Sequence, residues 1–170
     1  MSTRRTLRTC LLLSAALSST GVLAGEAAVT WQNPEKYADI ETDDLDQQAF
    51  QARLFKTLEK AFSQQAGRLP EGSRLTVTVT NLDLAGERRI RNDGDYMRVV
   101  NDGYFPKMAL DYTVTDAAGA VVSGQRGMDF SDLGFLDANA AIRANQSPQA
   151  FYYETQMVRH WFDDTLGAVK

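Results

Sequence analysis

His160, the only histidine, is the first residue to consider for catalysis, together with an acidic residue one helical turn later. His160 and Asp164 are four positions apart, a spacing that brings two side chains together on one face of a helix. A nucleophilic triad would add a serine to such a pair, but no serine stands in a Gly-x-Ser-x-Gly turn. We therefore interpret His160 as a solvent-facing residue near a helix C-terminus, stabilised there by the helix dipole and by Asp164.

Carboxylates offer two other kinds of chemistry. A facing pair could perform general acid–base catalysis, as in glycoside hydrolysis. The candidates are Asp83, Asp116, Asp129, Asp132, Asp137 and Glu154. Their spacing selects no pair, and Asp116 and Asp137 are typical turn or cap residues. The segment 92–95 offers oxygen ligands for calcium but lacks the EF-hand spacing, so we expect a turn there and no metal site.

Basic residues form the most distinctive cluster in the chain. Four arginines fall within eleven residues, with aromatic residues between and after them. The candidate binding residues are Arg88, Arg89, Arg91, Arg98, Tyr96 and Tyr104. Guanidinium forks suit carboxylates and phosphates, and neighbouring aromatics suit contact with a partner. An envelope protein, an anionic glycan or lipid head groups would fit, although charges on an exposed hairpin also serve to prevent edge pairing of strands.

Composition excludes several classes of protein. The chain has 170 residues with one Cys and one His, which nearly excludes a zinc site of Cys/His type. Its net charge of −4 argues against nucleic acid as the main partner, because phosphate binding needs a basic surface. At 44% hydrophobic residues it can bury a core, and its length fits one domain. No cofactor is expected.

Residues 1–24 have the pattern of a cleaved secretory signal peptide. Arg4, Arg5 and Arg8 precede a short apolar run, and the segment 22–24 places small residues at a cleavage site. We expect export by the Sec route rather than the twin-Arg route, and no transmembrane anchor after cleavage. Cleavage would remove three arginines and Cys10, leaving 146 residues with a net charge of −7 and no cysteine.

Residues 25–170 are predicted to form a single α+β domain. Alternating apolar residues predict strands over 74–84, 107–115 and 120–130, and Asn92–Asp95 predicts the turn of a hairpin over 87–100. A one-sided apolar stripe predicts a helix over 45–66, capped by Asp43 or Asp44. A last helix, beginning at Ser147–Pro148 and ending near Leu166, has Trp161 at the margin of its apolar stripe. A short helix is also expected over 138–144, within the connection 131–146. We expect an antiparallel sheet of about four to five strands, with two amphipathic helices packed on one face.

The chain resembles domain-of-unknown-function family 3016 (DUF3016), small exported bacterial proteins. The most distinctive matching pieces are Trp31–Asp39 and Asn81–Gly86. The other matching residues are Leu69–Gly72, Arg98–Val100, Pro106, Tyr112, Asp116–Gly119, Asp129, Tyr153, Glu154, Trp161 and Phe162. The resemblance implies an exported protein, and it brings no activity, cofactor or catalytic residue.

These observations together predict a soluble periplasmic protein of the Gram-negative envelope that is not an enzyme. We expect it to act as a binding or accessory module through the arginine-bearing hairpin and its aromatic residues. The alternatives are a carboxylate-based hydrolase acting on envelope glycan and a calcium-stabilised structural domain.

Overall fold

The computed structural model describes residues 25–42, 46–137 and 150–169, which form an α+β fold, as predicted. The strands are β1 (Glu26–Trp31), β2 (Arg74–Asp83), β3 (Glu87–Ile90), β4 (Tyr96–Val99), β5 (Lys107–Thr115) and β6 (Val121–Ser131). The helices are α1 (Gln47–Ala66) and α2 (Tyr152–Leu166), and a short 3-10 helix spans Pro34–Lys36.

The main sheet contains β1, β2, β5 and β6 in that order, while β3 and β4 form a separate two-stranded sheet. The β2–β5 and β5–β6 pairs are antiparallel, but β1 runs parallel to β2. The expectation of a purely antiparallel sheet is therefore wrong at β1. Because α1 lies between β1 and β2 in the chain, it carries the backbone back to the end of the sheet where β1 began, and the two strands run in the same direction.

One face of the two central strands carries the core. Leu75, Val77 and Val79 of β2 are fully buried, whereas Thr76 and Thr80 are exposed. The apolar residues of β5 alternate in the same way, with Met108, Leu110, Tyr112 and Val114 buried. The predicted alternation in both strands is confirmed, and it defines which face of the sheet is apolar.

Trp161 of α2 lies at the centre of the aromatic contacts in this core. Its ring packs edge-on against Tyr112 of β5 at 5.5 Å between centroids and stacks on Phe130 of β6 at 5.7 Å. It also meets the ring of Phe62 of α1 at 5.7 Å. Trp161 is only 3% exposed, so it is a central core residue rather than a marginal one.

Helix α1 contacts β1 through a stacked aromatic pair and a hydrogen bond. Trp31 stacks on Phe55 with centroids 4.2 Å apart, and its indole N–H donates to Glu59 at 2.9 Å. The buried residues of α1 are Leu54, Leu58, Ala61, Phe62 and Ala66.

Neither α1 nor α2, the helices of the described ranges, is long and apolar enough to cross a lipid bilayer.

The start of α1 differs from the prediction. The Asp46 carboxylate accepts a hydrogen bond from the Ala49 backbone N–H at 2.8 Å, so Asp46 is the N-cap instead of Asp43 or Asp44. Residues 43–45 lie outside the described chain, as do the predicted short helix over 138–144 and the predicted cap at 147–148. The described part of α2 begins at Tyr152 and ends at Leu166.

Candidate functional site

The β3–β4 hairpin forms around the turn predicted from Asn92–Asp95. Arg88 pairs with Arg98 and Ile90 with Tyr96 in an antiparallel register. At the root of the hairpin, the Gly86 backbone N–H donates to the Tyr104 carbonyl oxygen at 2.8 Å. Gly86 has φ +85°, and a Cβ there would lie 2.6 Å from the Val99 carbonyl oxygen. Only glycine fits this closure without strain.

Arg98 fastens the hairpin to the segment before α1. Its two terminal nitrogens donate to the two carboxylate oxygens of Asp39 at 2.9 and 2.8 Å. The same nitrogens donate to the carbonyl oxygens of Gly86 at 3.0 Å and Glu41 at 3.1 Å. The guanidinium of this predicted binding residue is thus occupied by four acceptors of its own chain, and its side chain is only 20% exposed. Its role in the structure is to position the hairpin.

The other three arginines of the cluster also contact carboxylates. Arg88 pairs with Glu41 and lies over the Tyr96 ring, 4.6 Å from its centroid. Arg89 pairs with Glu87, whose carboxylate oxygen lies 2.6 Å from Nε, and Arg91 pairs with Asp93 at 3.2 Å. Between residues 87 and 104, the four arginines are balanced by four acidic residues, Glu87, Asp93, Asp95 and Asp102. The positive charge of the sequence cluster is therefore compensated within the folded hairpin.

Apolar side chains remain exposed on this hairpin. The Tyr104 hydroxyl hydrogen-bonds to Glu87, which raises the pKa of Tyr104 and lowers the pKa of Glu87. Tyr104 is 47% exposed. We define the hairpin patch as the exposed large hydrophobic residues from 90 to 104: Ile90, Tyr96, Met97, Val100 and Tyr104. They are five of the eight such residues in the described part of the chain. Tyr96 and Tyr104 are among the binding residues predicted from the sequence, whereas Ile90, Met97 and Val100 are not.

A buried carboxyl group of α2 contacts the root of the hairpin. Glu154 is 4% exposed and accepts a hydrogen bond from the Ala85 backbone N–H at 2.8 Å. Burial raises the pKa of Glu154, while the Ala85 hydrogen bond and the positive charge of Arg98 act in the opposite direction. Glu154 is one of the acid–base candidates predicted from the sequence, but its burial is not evident from the sequence alone.

His160 has a different partner from the one expected. Its Nδ1 lies 2.9 Å from a carboxylate oxygen of Asp132, whose side chain is 8% exposed. Asp164 lines a cavity beside His160 but has no hydrogen bond or ion pair in the described part of the chain. The interpretation of His160 as paired with Asp164 is therefore wrong, because the end of β6 brings Asp132 to the imidazole instead.

The remaining acidic candidates are mostly engaged locally. Asp116 accepts hydrogen bonds from the backbone of Ala118 and Ala120, each at 2.9 Å, as a turn residue does. Asp83 lies 3.4 Å from the Lys107 ammonium group. In the turn at 92–95, Asp93 is paired with Arg91. Among the described residues, no group of three or more His, Cys, Asp or Glu side chains is arranged to hold a metal ion.

Comparison with known families matches the chain from residue 25 to residue 164 to a family described as a protein of unknown function, DUF3016. The chain belongs to this family. The resemblance found from the sequence is confirmed over nearly all of residues 25–170. No curated protein matches the DUF3016 chain. Because the family is described as one of unknown function, membership assigns no function to this chain. The function has to be inferred from the geometry of the hairpin and of the α2 face.

The buried Glu154 predicts a specific pH dependence of stability. Because its folded-state pKa is raised, its contribution to stability is complete below the pKa of the unfolded chain and is lost as pH rises through the folded-state pKa. Glu154→Gln keeps an acceptor for Ala85 and removes the buried charge. We expect its free energy of unfolding, relative to the unsubstituted chain, to increase as pH rises from 4 to 8.

Urea unfolding at each pH measures this difference. Glu71→Gln, at an exposed turn position, is the matched control and should show no comparable trend. A difference between Glu154→Gln and the unsubstituted chain that stays constant with pH would contradict the assignment of Glu154 as a buried, titrating group.

Proposed function

We propose that this DUF3016 protein is a non-catalytic binding module of the bacterial envelope and that the hairpin patch is its contact surface. The observation that carries the proposal is the concentration of exposed Ile90, Tyr96, Met97, Val100 and Tyr104 on the hairpin and the segment directly after it. Ile90 and Tyr96 pair across the hairpin and lie on one of its faces, whereas Met97 lies on the other. Exposed apolar side chains in such a cluster are typical of surfaces that bind another protein. Tyrosine and methionine are enriched at the centres of such interfaces.

A protein partner fits the hairpin better than an anionic glycan or lipid head groups. Binding of phosphate or carboxylate groups would need guanidinium groups with free donors and a positive local field. Arg98 already donates to Asp39, Gly86 and Glu41, and the charges between residues 87 and 104 balance. The hairpin presents apolar surface bordered by positively and negatively charged side chains.

The anchoring of the hairpin also favours binding. An isolated two-stranded hairpin is only marginally stable in water. Here its root is held by the Gly86–Tyr104 backbone hydrogen bond, by Arg98 on Asp39, and by Ala85 on Glu154. A surface that is already ordered loses less conformational entropy when it binds a partner.

We further propose that the protein is exported by the Sec route and acts in the periplasm after cleavage behind Ala24. The basic start, the short apolar run and the small residues at 22–24 support this proposal. The start of the family match at residue 25 supports the same boundary.

A crosslinking experiment tests the contact surface directly. With a photoreactive amino acid in place of Tyr96, irradiation of living cells should give one adduct of discrete mass, because Tyr96 lies within the hairpin patch and pairs with Ile90 on the same face. Ile90→Ser in the same chain should remove most of that adduct, since it takes an apolar anchor out of the surface. Adducts are detected by immunoblotting and identified by mass spectrometry.

The matched control places the photoreactive residue at Val122, which is 50% exposed but lies on β6, outside the hairpin. The proposal expects no adduct from this position. Equal adducts from both positions, an adduct from Tyr96 that survives Ile90→Ser, or no adduct from Tyr96 would each contradict it.

Export has its own test. Cells that express the full chain should yield a periplasmic protein whose first residue is Gly25, because a signal peptidase cleaves after small residues such as Ala24. N-terminal sequencing of the periplasmic fraction gives the result. Retention of Met1 in the cytoplasmic fraction would contradict the proposal, and Ala24→Arg should block the processing.

A further inference from the structure

The sulfur atoms of the chain differ sharply in their exposure to solvent. Residues 25–170 contain no cysteine and four methionines, Met97, Met108, Met128 and Met157. Met108 and Met157 are buried, at 2% and 1% exposed. Met128 is partly buried against the core, and its sulfur accepts a hydrogen bond from the Trp161 indole N–H at 3.3 Å. Met97 is 46% exposed, so its sulfur is the one that solvent reaches most easily.

A guanidinium group lies beside this exposed sulfur. Met97 of β4 pairs directly with Arg89 of β3, so the two side chains are neighbours on one face of the hairpin. Arg89 donates to a carboxylate oxygen of Glu87 through Nε and through one of its terminal nitrogens. A guanidinium carries more N–H donors than this oxygen engages. Arg89 can therefore also donate to an oxygen atom that is bound at the Met97 sulfur.

This setting favours the transfer of an oxygen atom from a peroxide to the thioether. A lone pair of the Met97 sulfur attacks one oxygen of hydrogen peroxide, so that the S–O bond forms and the O–O bond breaks. The departing hydroxide takes the proton of the transferred oxygen, and the products are methionine sulfoxide and water. Sulfur loses two electrons and the peroxide gains them. An N–H group of Arg89 stabilises the negative charge on the departing oxygen and then donates to the sulfoxide oxygen.

We propose that Met97 is a reversible oxidation site, at which a hydroperoxide forms the sulfoxide and so weakens the contact between the hairpin patch and its partner. The effect on the partner rests on the proposed function of the hairpin patch, whereas the oxidation itself does not. A sulfoxide is polar, so its burial against a partner costs free energy that burial of the thioether does not. Because the side chain is exposed, a methionine sulfoxide reductase can reach it and reverse the change.

Mass spectrometry of peroxide-treated protein tests the oxidation site. Protein purified from cells that express the full chain is treated with hydrogen peroxide, and each methionine peptide is quantified at successive times. Met97 should oxidise at least about tenfold faster than Met108 and Met157, because a buried sulfur reacts only after local opening of the fold. Treatment with the two methionine sulfoxide reductases, one for each sulfoxide epimer, and dithiothreitol should return the Met97 peptide to its original mass.

The same measurement tests the part played by Arg89. Arg89→Gln removes the guanidinium beside the sulfur and should slow the oxidation of Met97 about two- to threefold, the lower end of what one hydrogen bond contributes, because the site is exposed. The rate at Met128 should not change. Arg126→Gln removes an exposed arginine of β6, outside the hairpin, and is the matched control. It should leave the rate at Met97 unchanged.

The effect on the partner is read from the adduct formed by the photoreactive residue at position 96. A short peroxide treatment of the cells before irradiation should remove most of this adduct. Met97→Leu keeps an apolar side chain of similar volume but has no sulfur, so its adduct should be the same with and without peroxide. This variant also controls for oxidation of the partner itself. Met97→Gln, with a polar side chain of similar length, should lose most of the adduct without any peroxide.

Several outcomes would overturn the proposal. They are oxidation of Met97 that is no faster than that of Met108 and Met157, a sulfoxide that the reductases do not reverse, and an adduct that responds to peroxide equally in Met97→Leu and in the chain that keeps Met97. Failure of the proposed function gives a different result, because the untreated chain then forms no adduct from position 96. That result would remove the effect on the partner as well, while the mass spectra would still decide whether Met97 is the oxidation site.

Discussion

The bidentate pair between Arg98 and Asp39 is the interaction on which the candidate site depends. The Arg98 guanidinium joins both ends of the hairpin to the segment before α1, since Arg98 belongs to β4, Gly86 lies just before β3, and Asp39 and Glu41 precede α1. A planar fork can satisfy both carboxylate oxygens and still reach backbone carbonyls, which an ammonium group cannot do. The pair is only 20–26% exposed, so water screens it less than it screens a surface ion pair.

The exposed apolar residues of the hairpin follow from this arrangement. The hairpin is a separate two-stranded sheet and is not hydrogen-bonded to the edge of the main sheet. Its strands are too short to bury their own side chains, so residues such as Ile90 and Met97 remain in contact with solvent. Arg98 and Glu154 hold the root of the hairpin, and this lets a small, exposed element keep a defined shape.

The regular elements could be predicted from the sequence because each depends on a local pattern. The alternation from Leu75 to Val79 correctly predicts a strand. The turn residues Asn92–Asp95 correctly predict a hairpin. The direction of β1 was missed because it depends on the crossover through α1, although a strand followed by a helix and another strand is the usual sign of parallel pairing.

The contacts of the site could be predicted only in part. The sequence shows that arginines and acidic residues are dense around the hairpin, but it does not show that Arg98 would meet Asp39, 59 residues away. It suggested Asp164 for His160 because four residues make one helical turn, whereas Asp132 reaches the ring through the tertiary fold. Long-range pairing of this kind leaves no periodic signal in a single sequence.

Hydrogen exchange in the Arg98→Lys variant tests the central claim most directly. The substitution keeps the positive charge and removes the fork, so the opening of the hairpin should become easier while the main sheet stays intact. We expect the backbone amides of β3 and β4 to exchange at least about tenfold faster, equivalent to about 1.4 kcal/mol. The amides of β2 and β5 should be unchanged, and Arg89→Lys should leave all of them unchanged. Equal exchange of β3 and β4 in Arg98→Lys and the unsubstituted chain would contradict the claim that Arg98 holds the hairpin in place.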